Sequence, residues 1–172
     1  MSLDQKIKAE CEGFLSGFHS LLLATLDHQD EADLSYAPFV DHDGHFFILT
    51  SQLSSHTVNL KRHPTATVLF IEEESACDQI YARRRLRFQC QARQHPRDSD
   101  TWRSLIPLFS ARFGDIIDTL STLPDFQLFG LAPLRGRWIK GFGKAFHFEG
   151  RMQRNTSHLN PGKKRRLTKP RF

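Results

Sequence analysis

The residues able to do chemistry in this chain fall into three groups. The first is Thr50-Ser51-Gln52-Leu53-Ser54-Ser55-His56-Thr57-Val58-Asn59-Leu60-Lys61-Arg62-His63-Pro64, where a hydroxyl-rich strand end opens into a helix start. Such a junction offers unpaired amides and the positive end of the helix dipole to a phosphate or a carboxylate. The same residues also serve an ordinary capped helix, with Ser54 or Ser55 as the cap. The second group is Tyr81-Ala82-Arg83-Arg84-Arg85-Leu86-Arg87. On a strand, Arg83, Arg85 and Arg87 share one face, and such a row can clamp carboxylates with paired bonds. Glu72, Glu73 and Glu74 lie just upstream and offer the alternative of ion pairs across a hairpin. The third group is histidine, with nine residues, whose neutral imidazole is a natural ligand for iron. His42 and His45 flank a turn, and His63 and His95 precede prolines. Of the nine, the two that stand out are His56, in the first turn of the helix, and His158, near the C-terminus.

Other chemistries lack their residues. The chain shows no Ser/His/Asp nucleophile arrangement and no phosphate-binding Walker loop, and Gly141-Phe142-Gly143 lacks the third glycine of a dinucleotide fingerprint. Asp115 and Asp118 have no partner acids to mark a metal site. Three cysteines without a CxxC pair argue against a disulfide framework and a zinc site, and point to a reducing cytoplasm.

These groups need elements to hold them. Asp4 to Phe18 has apolar residues at helical spacing (Ile7, Cys11, Phe14, Leu15, Phe18). Strands are predicted over Leu21–Leu26, Leu34–Val40 and His45–Thr50, the last two joined by a tight turn at Asp41-His42-Asp43-Gly44. A helix from Ser54 or Ser55 stops at Pro64, and Thr65–Ile71 and Arg85–Ala92 follow as strands. Asp98–Arg112 reads as a helix capped by Asp98, with Pro107 predicting a kink or break. Phe126–Leu131, Arg137–Phe142 and Ala145–Phe148 complete the strands. Adjacent strands with helices outside, rather than βαβ alternation, predict a β-rich α+β fold, a six- or seven-stranded, mostly antiparallel split barrel. The expected organisation is an N-terminal helix over residues 1–20, a barrel over 21–149 and a mobile basic tail over 150–172.

The tail also explains the charge. The net charge of +5 includes Lys163, Lys164, Arg165, Arg166, Lys169 and Arg171, and without them the remainder is close to neutral. The basic character belongs to one end, which argues against nucleic acid as a partner. No apolar run approaches the ~18 residues of a membrane span, and the first residues lack a signal-peptide layout.

The order of several motifs resembles a known superfamily. Ser35-Tyr36-Ala37-Pro38-Phe39-Val40, a hairpin, and His56-Thr57-Val58-Asn59-Leu60 ending at Pro64 are similar to the split barrels typified by pyridoxamine 5′-phosphate oxidase. Ile71-Glu72-Glu73-Glu74, Tyr81 to Leu86, Arg112-Phe113-Gly114, Pro124-Asp125-Phe126 and Lys140-Gly141-Phe142-Gly143-Lys144-Ala145 resemble its HugZ/HutZ branch of bacterial haem-utilisation proteins. The resemblance implies a homodimer with cofactor sites at its interface, haem as cofactor, and haem oxygenase-like breakdown fed by an electron donor. The porphyrin would lie against Tyr36, Phe39 and Phe126, with its propionates on Arg83, Arg85 or tail residues such as Lys163. His158 would ligate the iron, with Asp125 orienting it and His56 nearby.

Two departures bear on these expectations. The flavin-binding members carry an Arg-Lys pair where this chain has Ser55-His56, which weakens phosphate binding. Where the haem-degrading members carry Gly-His-Arg, this chain has Gly162-Lys163-Lys164. The alternatives are therefore an FMN-dependent oxidoreductase, with Thr50, Ser51, Ser55 and Lys61 around the phosphate, and a haem store or chaperone without enzymatic activity.

Overall fold

The computed structural model describes residues 2–152 and 154–158. Helix α1, Leu3–Leu15, opens on a capping box in which Ser2 and Gln5 bond reciprocally. It buries Ile7, Cys11 and Leu15. Strands β1 (Ser20–Leu26), β2 (Ala32–His42) and β3 (His45–Ser51) follow, then α2 (Ser55–Arg62), β4 (Thr65–Ile71) and β5 (Arg85–His95). Two short 3₁₀ turns, Glu74–Ala76 and Ile80–Ala82, lie between β4 and β5. Helices α3 (Asp100–Phe113) and α4 (Ile116–Thr122) precede β6 (Phe126–Gly141), β7 (Lys144–Glu149) and β8 (Arg154–His158).

All pairings are antiparallel, in the order β3-β2-β1-β4-β5-β6-β7-β8, and β3 also pairs with β6. Six strands therefore close a barrel, while β7 and β8 extend the sheet beyond it. The predicted fold class stands, with eight strands among the described residues. The β2–β3 turn carries positive φ at both Asp43 and Gly44, as a two-residue hairpin loop requires.

Three details differ from the sequence reading. Pro107 lies within an unbroken α3, which Trp102, Leu105 and Phe109 anchor on both sides of it. The cap of that helix is Ser99, which accepts from the Trp102 amide, rather than Asp98. Finally, Phe126–Leu131 and Arg137–Phe142 belong to one strand. A register shift of β5 between Gln89 and Cys90 leaves Leu134 as an extra residue beside Pro133. That bulge accommodates the missing proline N–H and bends β6, so its first half pairs with β3 and its second with β7. The segment expected as a tail contributes β8, while Lys163 lies outside the described residues.

The interior is aromatic. Phe70 lies 5.3 Å from both Phe39 and Phe46 and 5.5 Å from Phe18, and Phe46 continues to Phe88 at 5.5 Å. These rings fill the inward positions of alternating strands. A second cluster forms where α3 and α4 cover the other face of β3 and β6, joining Trp102, Leu105, Phe109 and Ile117 to Val40, Phe47, Leu49 and Leu128. That cover explains why β3 is apolar along its length rather than alternating.

Candidate cofactor site

The strand end and helix start nominated by the sequence do come together, but their polar groups bond to one another. Ser55 Oγ donates to Asp33 Oδ2 at 2.6 Å, and Asn59 Nδ2 donates to the same oxygen at 3.0 Å. Thr50 Oγ1 lies 2.7 Å from His56 Nε2 and 2.9 Å from Thr57 Oγ1. Ser51 Oγ donates to Asp125 Oδ2 at 2.5 Å. Lys61 stands in the last turn of α2, at the far end of the helix from Ser55. The anion beside this helix start is thus the chain's own Asp33 carboxylate. A flavin phosphate does not fit there, because the nominated hydroxyls are committed and Asp33 would repel it.

Burial pushes the pKa of His56 below its ordinary 6.5, against an opposing pull from the Asp33 charge. The sign of the linkage follows from this. Above 6.5 the imidazole is neutral in both folded and unfolded chains and costs nothing. Below it the unfolded chain takes up a proton that the folded chain resists, so stability falls as pH drops toward the folded pKa. His95 is pushed the same way by burial, then by Arg93 and His45, and adds to the slope. His56→Gln is expected to flatten the dependence of the urea midpoint on pH between about 7 and 5. An identical slope in the variant would count against a buried neutral His56.

The arginine run divides. Arg83 precedes β5 rather than lying on it. Its guanidinium donates to the Glu72 carbonyl and pairs with Glu74 at 2.9 Å, while Arg84 pairs with Glu72. Arg83 is therefore spent on the ion pairing its acidic neighbours offered. Arg85 donates to the Arg83 carbonyl, and Arg87 is exposed on the outer face of β5.

Register reveals what spacing along the chain did not. Tyr36, Leu22, Leu69, Arg87, Arg137 and His147 are consecutive partners across β2, β1, β4, β5, β6 and β7. Two residues along each strand, Leu34, Ala24, Thr67, Gln89 and Arg135 form a second row on the same face. The outer face is therefore apolar on one side, with Tyr36 65% and Leu34 71% exposed, and basic on the other. A groove of about 370 Å³ runs along it, lined by Ala24, Leu26, Thr67, Gln89, Leu134 and Arg135. Among the described residues Arg87, Arg135 and Arg137 have no ion pair, and Arg137 Nε is buried without a hydrogen-bond partner. Like charges directly opposite, as in Arg87 and Arg137, are unfavourable in a sheet, so this face would favour an anion. Tyr36 lies on this face. Phe39 instead belongs to the core, and Phe126 packs against the helical cluster.

Closure of six antiparallel strands with a sheet extension defines a split barrel. Residues 7–140 match the pyridoxamine 5′-phosphate oxidase family, and the chain belongs to it. It is 39% identical over 160 residues to "Heme oxygenase HutZ" of Vibrio cholerae, covering 93% of this chain and 91% of that protein. The crystal structure of HutZ from V. cholerae, there described as a heme storage protein, superposes with a TM-score of 0.70 at 41% identity, covering 73% of this chain and 88% of that one. ChuZ of Campylobacter jejuni superposes with a TM-score of 0.82 at 32% identity, covering 92% of this chain and 66% of that one.

Proposed function

We propose that this chain is a haem-binding protein of haem utilisation, and that haem lies across the outer face of the barrel. The observation that carries this is the change from apolar to arginine along one continuous cross-strand row. A porphyrin has the same polarity, with an apolar ring and carboxylates at one edge. Tyr36, Leu22 and Leu69 exclude water from the ring, while Arg85, Arg87 and Arg137 hold the propionates through charge-assisted bonds. The similarity to HutZ supports the reading. Haem, when bound, supplies redox chemistry with dioxygen, and the electrons would come from an external donor.

The exposed apolar half, including Leu34 and Tyr36, is proposed to pair with a second copy of the chain, since contiguous exposed apolar surface marks an interface. His158, the last residue of β8, is proposed as the iron ligand, although its register partner Phe146 faces the core and not the arginine row of its own chain. Asp125, held by Ser51, is proposed as the acceptor that orients that histidine. His147, which the register places in the arginine row itself, is the other described histidine to test. We place the protein in the cytoplasm on its three free cysteines, of which Cys11 and Cys90 are buried with thiols pushed up to about 12. No helix among the described residues is long and apolar enough to cross a membrane.

Titration with haemin is expected to give a sharp, saturable, stoichiometric Soret band, and FMN is expected to leave both its own fluorescence and the protein unchanged. Tight FMN binding with no specific Soret band would overturn the proposal. Reductant and oxygen added to the loaded protein then separate an oxygenase, which loses the band and releases iron, from a store, which keeps both. His158→Ala is expected to remove the histidine-type spectrum, and its loss in His147→Ala instead would move the ligand to β7.

A further inference from the structure

We infer that Arg97, in the loop between β5 and α3, is the positioning residue for Asp125. The inference rests on the reading above for its functional weight, but its geometry is independent of haem. Asp125 stands in the turn between α4 and β6, where the Phe126 amide donates to the Leu123 carbonyl at 3.2 Å. Arg97 grips both ends of that turn: one terminal nitrogen donates to the Leu123 carbonyl at 2.5 Å and to the Phe126 carbonyl at 3.2 Å. The other terminal nitrogen donates to the Ser121 carbonyl, in the last turn of α4.

The guanidinium plane is fixed in turn by Trp102, whose ring centre lies 4.5 Å from Arg97 Cζ and which is 6% exposed. A cation is also well placed at the C-terminal end of α4, where carbonyls lack helical partners. Asp125 is left with two contacts of its own: its carboxylate accepts from Ser51 Oγ, and its backbone carbonyl accepts from the Gln52 amide at 2.9 Å. Both contacts reach the end of β3, so the turn is tied to the barrel on one side and to Arg97 on the other. The donors that a rigid planar fork delivers to three carbonyls cannot be reproduced by a single ammonium. Arg97→Lys keeps the charge and removes the grip.

Two measurements test this. In the haem-free protein, hydrogen exchange at the Gln52 amide reports whether Asp125 is held against β3. In Arg97→Lys that exchange is expected to accelerate about tenfold or more, with the Val68 and Phe88 amides of the barrel unchanged. No change at Gln52, or equal acceleration at all three amides, would overturn the inference, the second by showing general destabilisation. In the haem-loaded protein, Arg97→Lys is expected to shift the Soret and visible bands in the wild-type background and leave them unshifted in an Asp125→Asn background. Additive shifts would mean that Arg97 acts by another route. If the wild-type chain takes up no haem, the haem reading falls, and the exchange measurement alone still decides the positioning role.

Discussion

Replacing Arg87 and Arg137 together by glutamine is expected to weaken haemin binding by two to four powers of ten while making the empty protein slightly more stable. Each charge-assisted bond to a propionate contributes roughly 1.5–3 kcal/mol, and about 1.4 kcal/mol is tenfold in affinity. Both side chains lie on the outer face as direct cross-strand partners, and neither has an ion pair among the described residues. Their mutual repulsion is worth roughly 0.2–1 kcal/mol against the fold, which the substitution relieves. Opposite signs in the two readouts are what distinguish a binding site from a structural ion network. Haemin titration and urea unfolding measure them on the same samples. An unchanged haem affinity in the double variant would remove the arginine row from the site.

Phe70→Ala is expected to cost about 3–5 kcal/mol of stability, a large share of the roughly 5–15 kcal/mol available to a domain. The ring is 1% exposed and contacts Phe18, Phe39 and Phe46, so its removal leaves a cavity lined by rings that cannot collapse into it. The side chain points into the barrel and not onto the outer face, so haem binding per folded molecule is expected to stay near wild type. Urea midpoints at constant m-value give the first quantity and titration under folding conditions the second. A loss below about 1 kcal/mol would mean that the aromatic core repacks around the gap.

The elements were legible because their signals are local. Thr65–Ile71 emerged with both predicted ends intact, since β-branched and large apolar residues alternate between a proline and an acidic run. The Asp43-Gly44 turn announced itself through residues that tolerate positive φ. What stayed hidden depends on distant partners. Nothing near Arg135 or Arg137 in the chain says that they stand beside Arg87, because the β5–β6 register is set across the α3–α4 insertion and a bulge. Asp33 lies 22 residues before Ser55 in the chain, yet it supplies the anion that such a helix start could hold as a ligand. Asp125 was singled out by resemblance, whereas its grip by Arg97 was not visible, since carbonyl acceptors carry no residue signature.

The position of Asp33 has a consequence for how the protein spends its time. A fold whose helix start is completed by a ligand's phosphate is only half assembled when the ligand leaves. Here the chain is self-complementing at that junction, with its own carboxylate bonded to Ser55 and Asn59. No phosphate is needed to complete the hydrogen bonding at this end of the barrel. On the proposed reading, such a protein would take up its flat anion from the outside face and surrender it again, treating haem as cargo and not as part of its frame.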